Sequence, residues 1–369
     1  MTEYFSLFFD GSNQALTLVT SLAVLFILSQ LGGALAGRER PMEVDFVFGW
    51  GALSCVFTLA AVFLQAPLAV ATWGIVGVSI VSVGVLYKRD GRILAPGVPR
   101  LLLLSLPLLL IASAMVPSQW DEFSHWLPAP RFLMLTNDVP SLDNPVVGTQ
   151  MLPAYPFGWP YLTYLASRIS GVYLEGVSRV LNVTFLLFFG LLALRVAVTT
   201  AGRELPPRIS WKITALAIFF ATLVNPTFIQ KIILTAYADI GTSVTLGVTA
   251  FLFWILLNAQ AENNNEKAWR TAWLASLAGM ALINIKQVNL VLLVGLALMY
   301  LLAAWRDREI RIIQSIGLAL AALAPALMLY LVWRYHVGIN FNADGGAEAQ
   351  FMPFENWNIS KMHLIFSLI

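Results

Sequence analysis

Val98–Trp126 reads VPRLLLLSLPLLLIASAMVPSQWDEFSHW. After Arg100 the run to Val116 carries no charge. At 1.5 Å per helical residue the whole run from Val98 to Val116 reaches about 28 Å, close to the roughly 30 Å hydrocarbon core of a bilayer. Four residues on stand two adjacent carboxylates, Asp121 and Glu122, and then His125. Carboxylates are costly to desolvate, so the span ends before them, and polar chemistry begins at its rim.

Runs of similar length lie at 15–36, 44–64, 68–87, 177–199, 211–230, 239–257, 269–285, 288–304 and 312–334. The composition agrees: of 369 residues 59% are hydrophobic and 11% charged, where a soluble domain carries roughly 25% charged. A soluble two-domain enzyme and an intrinsically disordered chain are both excluded. A net charge of +2 gives no basis for a nucleic-acid partner. Cys55 is the single cysteine, so no intrachain disulfide is available. The expected fold is all-α, a polytopic helical membrane protein with about ten transmembrane helices and a long outer loop carrying interfacial helices.

Orientation comes from the basic residues. They gather in five connections: Arg38 and Arg40; Lys88, Arg89, Arg92 and Arg100; Arg203, Arg208 and Lys212; Lys267 and Arg270; Arg306, Arg308 and Arg311. If ten crossings alternate, these share one side, and the positive-inside rule makes it cytoplasmic. Two basic connections, 258–270 and 305–311, need an even number of crossings between them. That places Lys286-Gln287 at an outer turn, and the same parity splits 211–257 around Lys231–Asp239. The N-terminus then lies outside. Residues 1–116 form four N-terminal spans, 117–176 the outer loop, 177–334 a six-helix bundle and 335–369 an outer tail opening a further apolar segment. Ala34-Leu35-Ala36 resembles a signal-peptidase site, but the run before it is long and lacks a basic leader, so an uncleaved span is expected. Arg195, in the inner half of the fifth span, is expected to snorkel to the cytoplasmic interface. Asn182-Val183-Thr184 matches a glycosylation sequon inside a span and carries no functional meaning.

The loop 117–176 contains Pro117, Pro128, Pro130, Pro140, Pro145, Pro153, Pro156 and Pro160. Proline forbids long helices and stiffens the chain, and long loops of this kind are often functional. A helical continuation past Trp120 would set Asp121 and His125 on one face, four apart, able to bind a metal ion or hold a general base. The plainer reading is an acidic pair that ends the span. Further on, YPFGWPYLTYLASRISG (Tyr155–Gly171) reads as a short helix in the outer interface, roofing a cavity between loop and bundle. Two more elements face the same side: KIILTAYAD (Lys231–Asp239) and Lys286. A cation in a tight turn between apolar helices needs an anionic partner, either Asp239 or a lipid phosphate.

The order of these features resembles the GT-C superfamily of polytopic glycosyltransferases. It is most similar to the branch of protein mannosyltransferases and lipid A aminoarabinose transferases, over about 117–300. Trp120–Trp126 resembles the acidic motif of the first large outer loop. Tyr155–Gly171 resembles the Tyr-Pro-Pro segment, with Phe157-Gly158 in place of the second proline. Thr235–Asp239 resembles the second acidic motif, and Ile285-Lys286-Gln287 a basic outer turn. Four spans precede the acidic loop where the family has one.

The resemblance implies an inverting transfer of a sugar from a polyprenyl-phosphate donor to a lipid, glycan or protein acceptor, on the outer face of a bacterial inner membrane. Asp121 would be the general base, with Glu122 orienting it or binding acceptor. Asp239 would position acceptor or hold a cation. Lys286, or Arg168 or Arg179 in its place, would stabilise the leaving phosphate; Tyr155 and His125 would complete the substrate site. No cofactor is required, although a divalent metal could take the role of the cation. Two other classes fit the composition. A transporter or lipid flippase would show repeats and ionisable groups near the midplane, and no repeat is visible. A non-catalytic membrane assembly subunit would tolerate changes at Asp121 and Lys286.

Overall fold

A computed structural model describes residues 8–146, 151–202, 209–225 and 228–341. Among them, seven helices are long and apolar enough to cross a membrane: α1 (Gln14–Ala36), α2 (Met42–Leu64), α3 (Leu68–Asp90), α7 (Val177–Thr200), α10 (Asp239–Ala261), α12 (Asn289–Arg306) and α13 (Ile312–Asn340). The architecture is that of a multi-pass helical membrane protein. Three further helices fall where crossings were expected. α4 (Val98–Ala114) has 17 residues. α11 (Asn265–Ile283) has 19 and carries Glu266, Lys267 and Arg270 near its start. α8 (Trp211–Ala221) has only 11.

The expected crossing at 211–230 is therefore not one continuous helix. At 1.5 Å per residue α8 covers about 16 Å, half the hydrocarbon core. Thr222 leaves helical geometry (φ −111°, ψ −81°), and Asn225 precedes Pro226, a position that disfavours helix. A short α9 (Gln230–Ile233) follows. Between α4 and α7 lie α5 (Pro128–Thr136) and α6 (Pro160–Ser170).

α2 sits between α1 and α11 and packs on both. Gly51 makes the second contact possible: a Cβ there would lie 1.9 Å from the Leu277 carbonyl oxygen on α11. Small residues are how membrane helices bring backbones this close.

The bundle has two chemically distinct ends. At one, the basic connections meet. Arg40 pairs with Asp45 (2.8 Å) and Asp90 (2.9 Å), Arg89 with Asp90 (3.0 Å), and Arg270 with Glu39. Arg195 does not snorkel freely here. Its guanidinium holds Glu43 through two bonds, 2.8 and 2.7 Å, and Glu43 is completely buried. A buried carboxylate demands such a partner, and it fixes α7 against the start of α2. At the other end the start of the described chain meets the end of α4: Asp10 N–H donates to Ala114 O (2.7 Å) and Val116 N–H to Phe8 O (3.0 Å). An even number of passes thus separates the start of α1 from the end of α4. The elements of the 117–176 segment lie at this second end.

α6 departs from the expected interfacial helix. Pro160 to Ser167 are all buried, packed among α1, α5 and α7. A helix covered on every side belongs to a core; aromatic bulk explains it here, with Phe57 of α2 edge-on to Tyr161 (5.1 Å) and to Tyr164 (6.0 Å).

Candidate functional site

The acidic pair is split by its environment. Glu122 is completely buried, and both of its oxygens are taken. One accepts from the Ser118 and Gln119 backbone N–H groups (2.8 and 2.9 Å). The other accepts from the Ala236 N–H (2.7 Å) and faces Arg179 Nη1 at 3.3 Å. Arg179, in the first turn of α7, is itself 2% exposed. One carboxylate thereby ties together the end of the α4 segment, α7 and the turn before α10. Four donors thus engage its two oxygens. Asp121, one residue earlier, is exposed.

Asp121 and His125 do not share a face. Glu122–Trp126 forms a π turn, closed by Leu127 N–H donating to Glu122 O at 2.9 Å. His125 instead points inward, 2% exposed, among the rings of Trp126 (4.8 Å) and Tyr155 (5.0 Å). Its Nδ1 accepts from Leu152 N–H at 3.3 Å. Burial, reinforced by the nearby Lys286 ammonium, pulls its pKa down to about 3. Its Nε2 is buried with no hydrogen-bond partner among the described residues, and Tyr155 packs beside it.

The second acidic motif arrives at the same end. Asn182 of α7 donates to the Thr235 and Tyr237 carbonyls, both at 2.9 Å, and Trp159 Nε1 donates to Ala236 O at 2.8 Å. The 235–237 turn is thus held from three sides, by Asn182, Trp159 and Glu122. Asn182, dismissed on sequence as a sequon inside a span, is one of its clamps. Tyr237 stands among the carboxylates: burial first, and then Asp121, Glu122 and Asp239, push its phenol up, against a hydrogen bond at Asp121. Asp239 follows at the first position of α10 with its side chain half exposed, where a negative charge suits the helix dipole.

Lys286 closes the arrangement. Its ammonium lies 2.8 Å from Asp239 Oδ1 and 5.5 Å above the Trp126 ring, a cation–π distance. The anionic partner expected for it is Asp239. Neighbouring residues fix the turn: Gln287 Nε2 donates to Ala154 O (2.6 Å), as does Trp333 Nε1 (3.0 Å). Gly158 N–H donates to Asn284 O (2.8 Å), and a Cβ on Gly158 would lie 2.5 Å from that oxygen. That contact accounts for glycine where the resembled motif has proline, which also could not donate.

Arg168 stays apart, in the last turn of α6, with no ion pair among the described residues. Nor do three His, Cys, Asp or Glu side chains converge as metal ligands among the described residues: Glu122 is saturated, His125 faces inward and Asp239 is committed to Lys286. The described residues do not by themselves assemble a divalent-ion site. Against α5 a cleft of about 570 Å³ opens, with Phe123, Leu127, Phe132 and Tyr173 on its apolar wall and Arg131 and Glu175 also in its lining; Phe123 is two residues from Asp121.

What results is one exposed carboxylate, one ion-paired carboxylate and one cation, on a rim held rigid by Glu122, Arg179 and Asn182. Such a set can take a proton from a hydroxyl and stabilise a neighbouring anion. Comparisons with protein-family models, curated proteins and solved structures find no match for the chain.

Proposed function

We propose that this protein is a membrane glycosyltransferase of the GT-C kind. It would move a sugar from a polyprenyl-phosphate donor to a lipid, glycan or protein acceptor on the outer face of a bacterial inner membrane, through ten crossings with the N-terminus outside. One observation carries the reading. Three short segments far apart in sequence, 121–122, 235–239 and 286, meet at one end of the bundle through the 2.7 Å Glu122–Ala236 contact and the 2.8 Å Lys286–Asp239 pair.

In the proposed reaction the acceptor O–H gives its proton to the Asp121 carboxylate as its oxygen attacks the anomeric carbon. The carbon–oxygen bond to phosphate breaks, and the electron pair leaves with the lipid phosphate. General-base assistance of this kind is worth about 10²–10⁴ in rate. Lys286 faces the growing phosphate charge, and Asp239 holds the ammonium in place until the donor arrives. Glu122 acts through position, keeping Asp121 at the rim. The cleft against α5 is apolar enough to shelter a prenyl chain, which is the reason to place such chemistry in a membrane.

The test is a glycan and glycolipid profile of cells with the gene, without it, and with Asp121→Asn in its place. A sugar missing from the null and the variant alike supports the reading. Identical profiles in all three would refute it.

A further inference from the structure

The opposite end of the bundle, where the basic connections gather, holds a second pocket of about 520 Å³. Four elements build it: the α1–α2 turn, the end of α7, the end of α10 and the start of α11. Its basic groups fall into two classes. Arg40 and Arg195 are bound to acids that are themselves buried, Asp45 and Glu43. They are part of the frame and have no charge to spare.

Arg38, Lys267 and Arg270 differ. Arg38 is exposed and has no ion pair among the described residues. Lys267 pairs with Glu262 and Arg270 with Glu39, but these acids are 57% and 73% exposed. Exposed pairs are worth little, about 0–1 kcal/mol each, so a better-placed anion can take over either cation. One side of the pocket is therefore cationic and exchangeable. The other is apolar and built from α10: Phe251, Trp254 and Ile255 stand at the i, i+3, i+4 spacing of one helix face, with Trp254 44% exposed. Cation above and apolar wall below is the shape of a phospholipid at a bilayer edge.

We propose that this pocket binds an anionic phospholipid of the inner leaflet, its phosphate held by Arg38, Lys267 and Arg270 and its acyl chain laid along Phe251, Trp254 and Ile255. A single negative charge matches the pocket: it satisfies Arg38 and replaces Glu39 or Glu262 as partner of the other two. Juxtamembrane basic residues attract anionic lipid at a level that corresponds to about five-fold in affinity per charge.

The full chain in detergent micelles is titrated with phosphatidylglycerol or phosphatidylcholine of equal chain length, and bound lipid is read by native mass spectrometry. Phosphatidylglycerol should bind saturably and at least about tenfold more tightly than phosphatidylcholine. Arg38→Gln with Lys267→Gln should weaken it about thirty-fold. Arg306→Gln with Arg308→Gln, at the same end but outside the pocket, should leave it unchanged. Glu262→Gln, which frees Lys267, should tighten binding about five-fold, a gain that misfolding cannot imitate. Equal binding of the two lipids, or an unaltered affinity in both the Arg38/Lys267 and the Glu262 variants, overturns the proposal. So does full displacement by inorganic phosphate at equal concentration, which would mark a site for a free anion instead of a lipid.

Discussion

Glu122→Gln separates the two adjacent acids by their physics. The carboxylate accepts from four donors, and an amide offers one oxygen. If the new NH₂ faces Ser118 and Gln119, two backbone N–H groups at 2.8 and 2.9 Å lose their acceptor. Bonds to a charged group contribute about 1.5–3 kcal/mol each. If it faces the other way, the Ala236 N–H is orphaned and the Arg179 guanidinium, 2% exposed, meets an NH₂ in place of its hydrogen-bonding carboxylate, a loss of about 3–5 kcal/mol. Either orientation gives about 3–5 kcal/mol, a large part of a typical 5–15 kcal/mol folding free energy. The apparent melting temperature in detergent, followed by light scattering or size-exclusion recovery, should fall on the order of 10 °C. Asp121→Asn, on an exposed side chain, should stay within about 0.5 kcal/mol of wild type. Combining Glu122→Gln with Arg179→Met removes the stranded charge, so the double variant should be more stable than the sum of the singles predicts. A Glu122→Gln protein that melts like wild type, or an Asp121→Asn protein that loses as much, would refute the division of roles.

Three further outcomes follow from the same geometry. Asn182→Ala deletes two hydrogen bonds to the 235–237 turn and should cost about 2 kcal/mol along with most sugar transfer; thermal midpoints and a transfer assay at wild-type level would remove it as a clamp. His125 titrates at about 3 in the fold against 6.5 ordinarily, so on acidification the unfolded chain takes up this proton first. The stability it contributes is complete above about pH 6.5 and is lost as pH falls toward 3. His125→Phe should flatten the fall in melting temperature between pH 6.5 and 4, and parallel curves would contradict its buried, neutral state. For orientation, Ser141→Cys in a Cys55→Ala background should react with a membrane-impermeant thiol reagent added outside intact cells; protection there and reaction only after lysis would reverse the topology.

Seven spans were legible because apolar length is a property of contiguous sequence. All the expected crossings contain a helix, although 211–230 stops at Ala221, where a count of apolar residues cannot see a broken helix. The Lys286–Asp239 pair was legible too, from the cost of an unpaired cation in a tight turn. What escaped depends on partners distant in sequence. Arg195 looked like a snorkelling side chain because its acid, Glu43, sits 152 residues away. Asn182 carries no local sign of the turn it holds. The burial of His125 escaped because its cover, Leu152 and Tyr155, comes from 27 residues and more along the chain. Eight consecutive buried positions in α6 look amphipathic on paper; only the packing of α1, α5 and α7 around them shows that both faces are covered.

The central claim is that the outer rim performs sugar transfer with Asp121 as base. It is tested most directly by transfer from labelled polyprenyl-phosphate sugar in membranes containing wild-type or Asp121→Asn protein at matched expression and equal melting temperature. Wild-type membranes should transfer the sugar, and the variant should lose at least about 10²-fold. Transfer within a few-fold of wild type in Asp121→Asn, or no transfer by the wild type from any such donor, would contradict it.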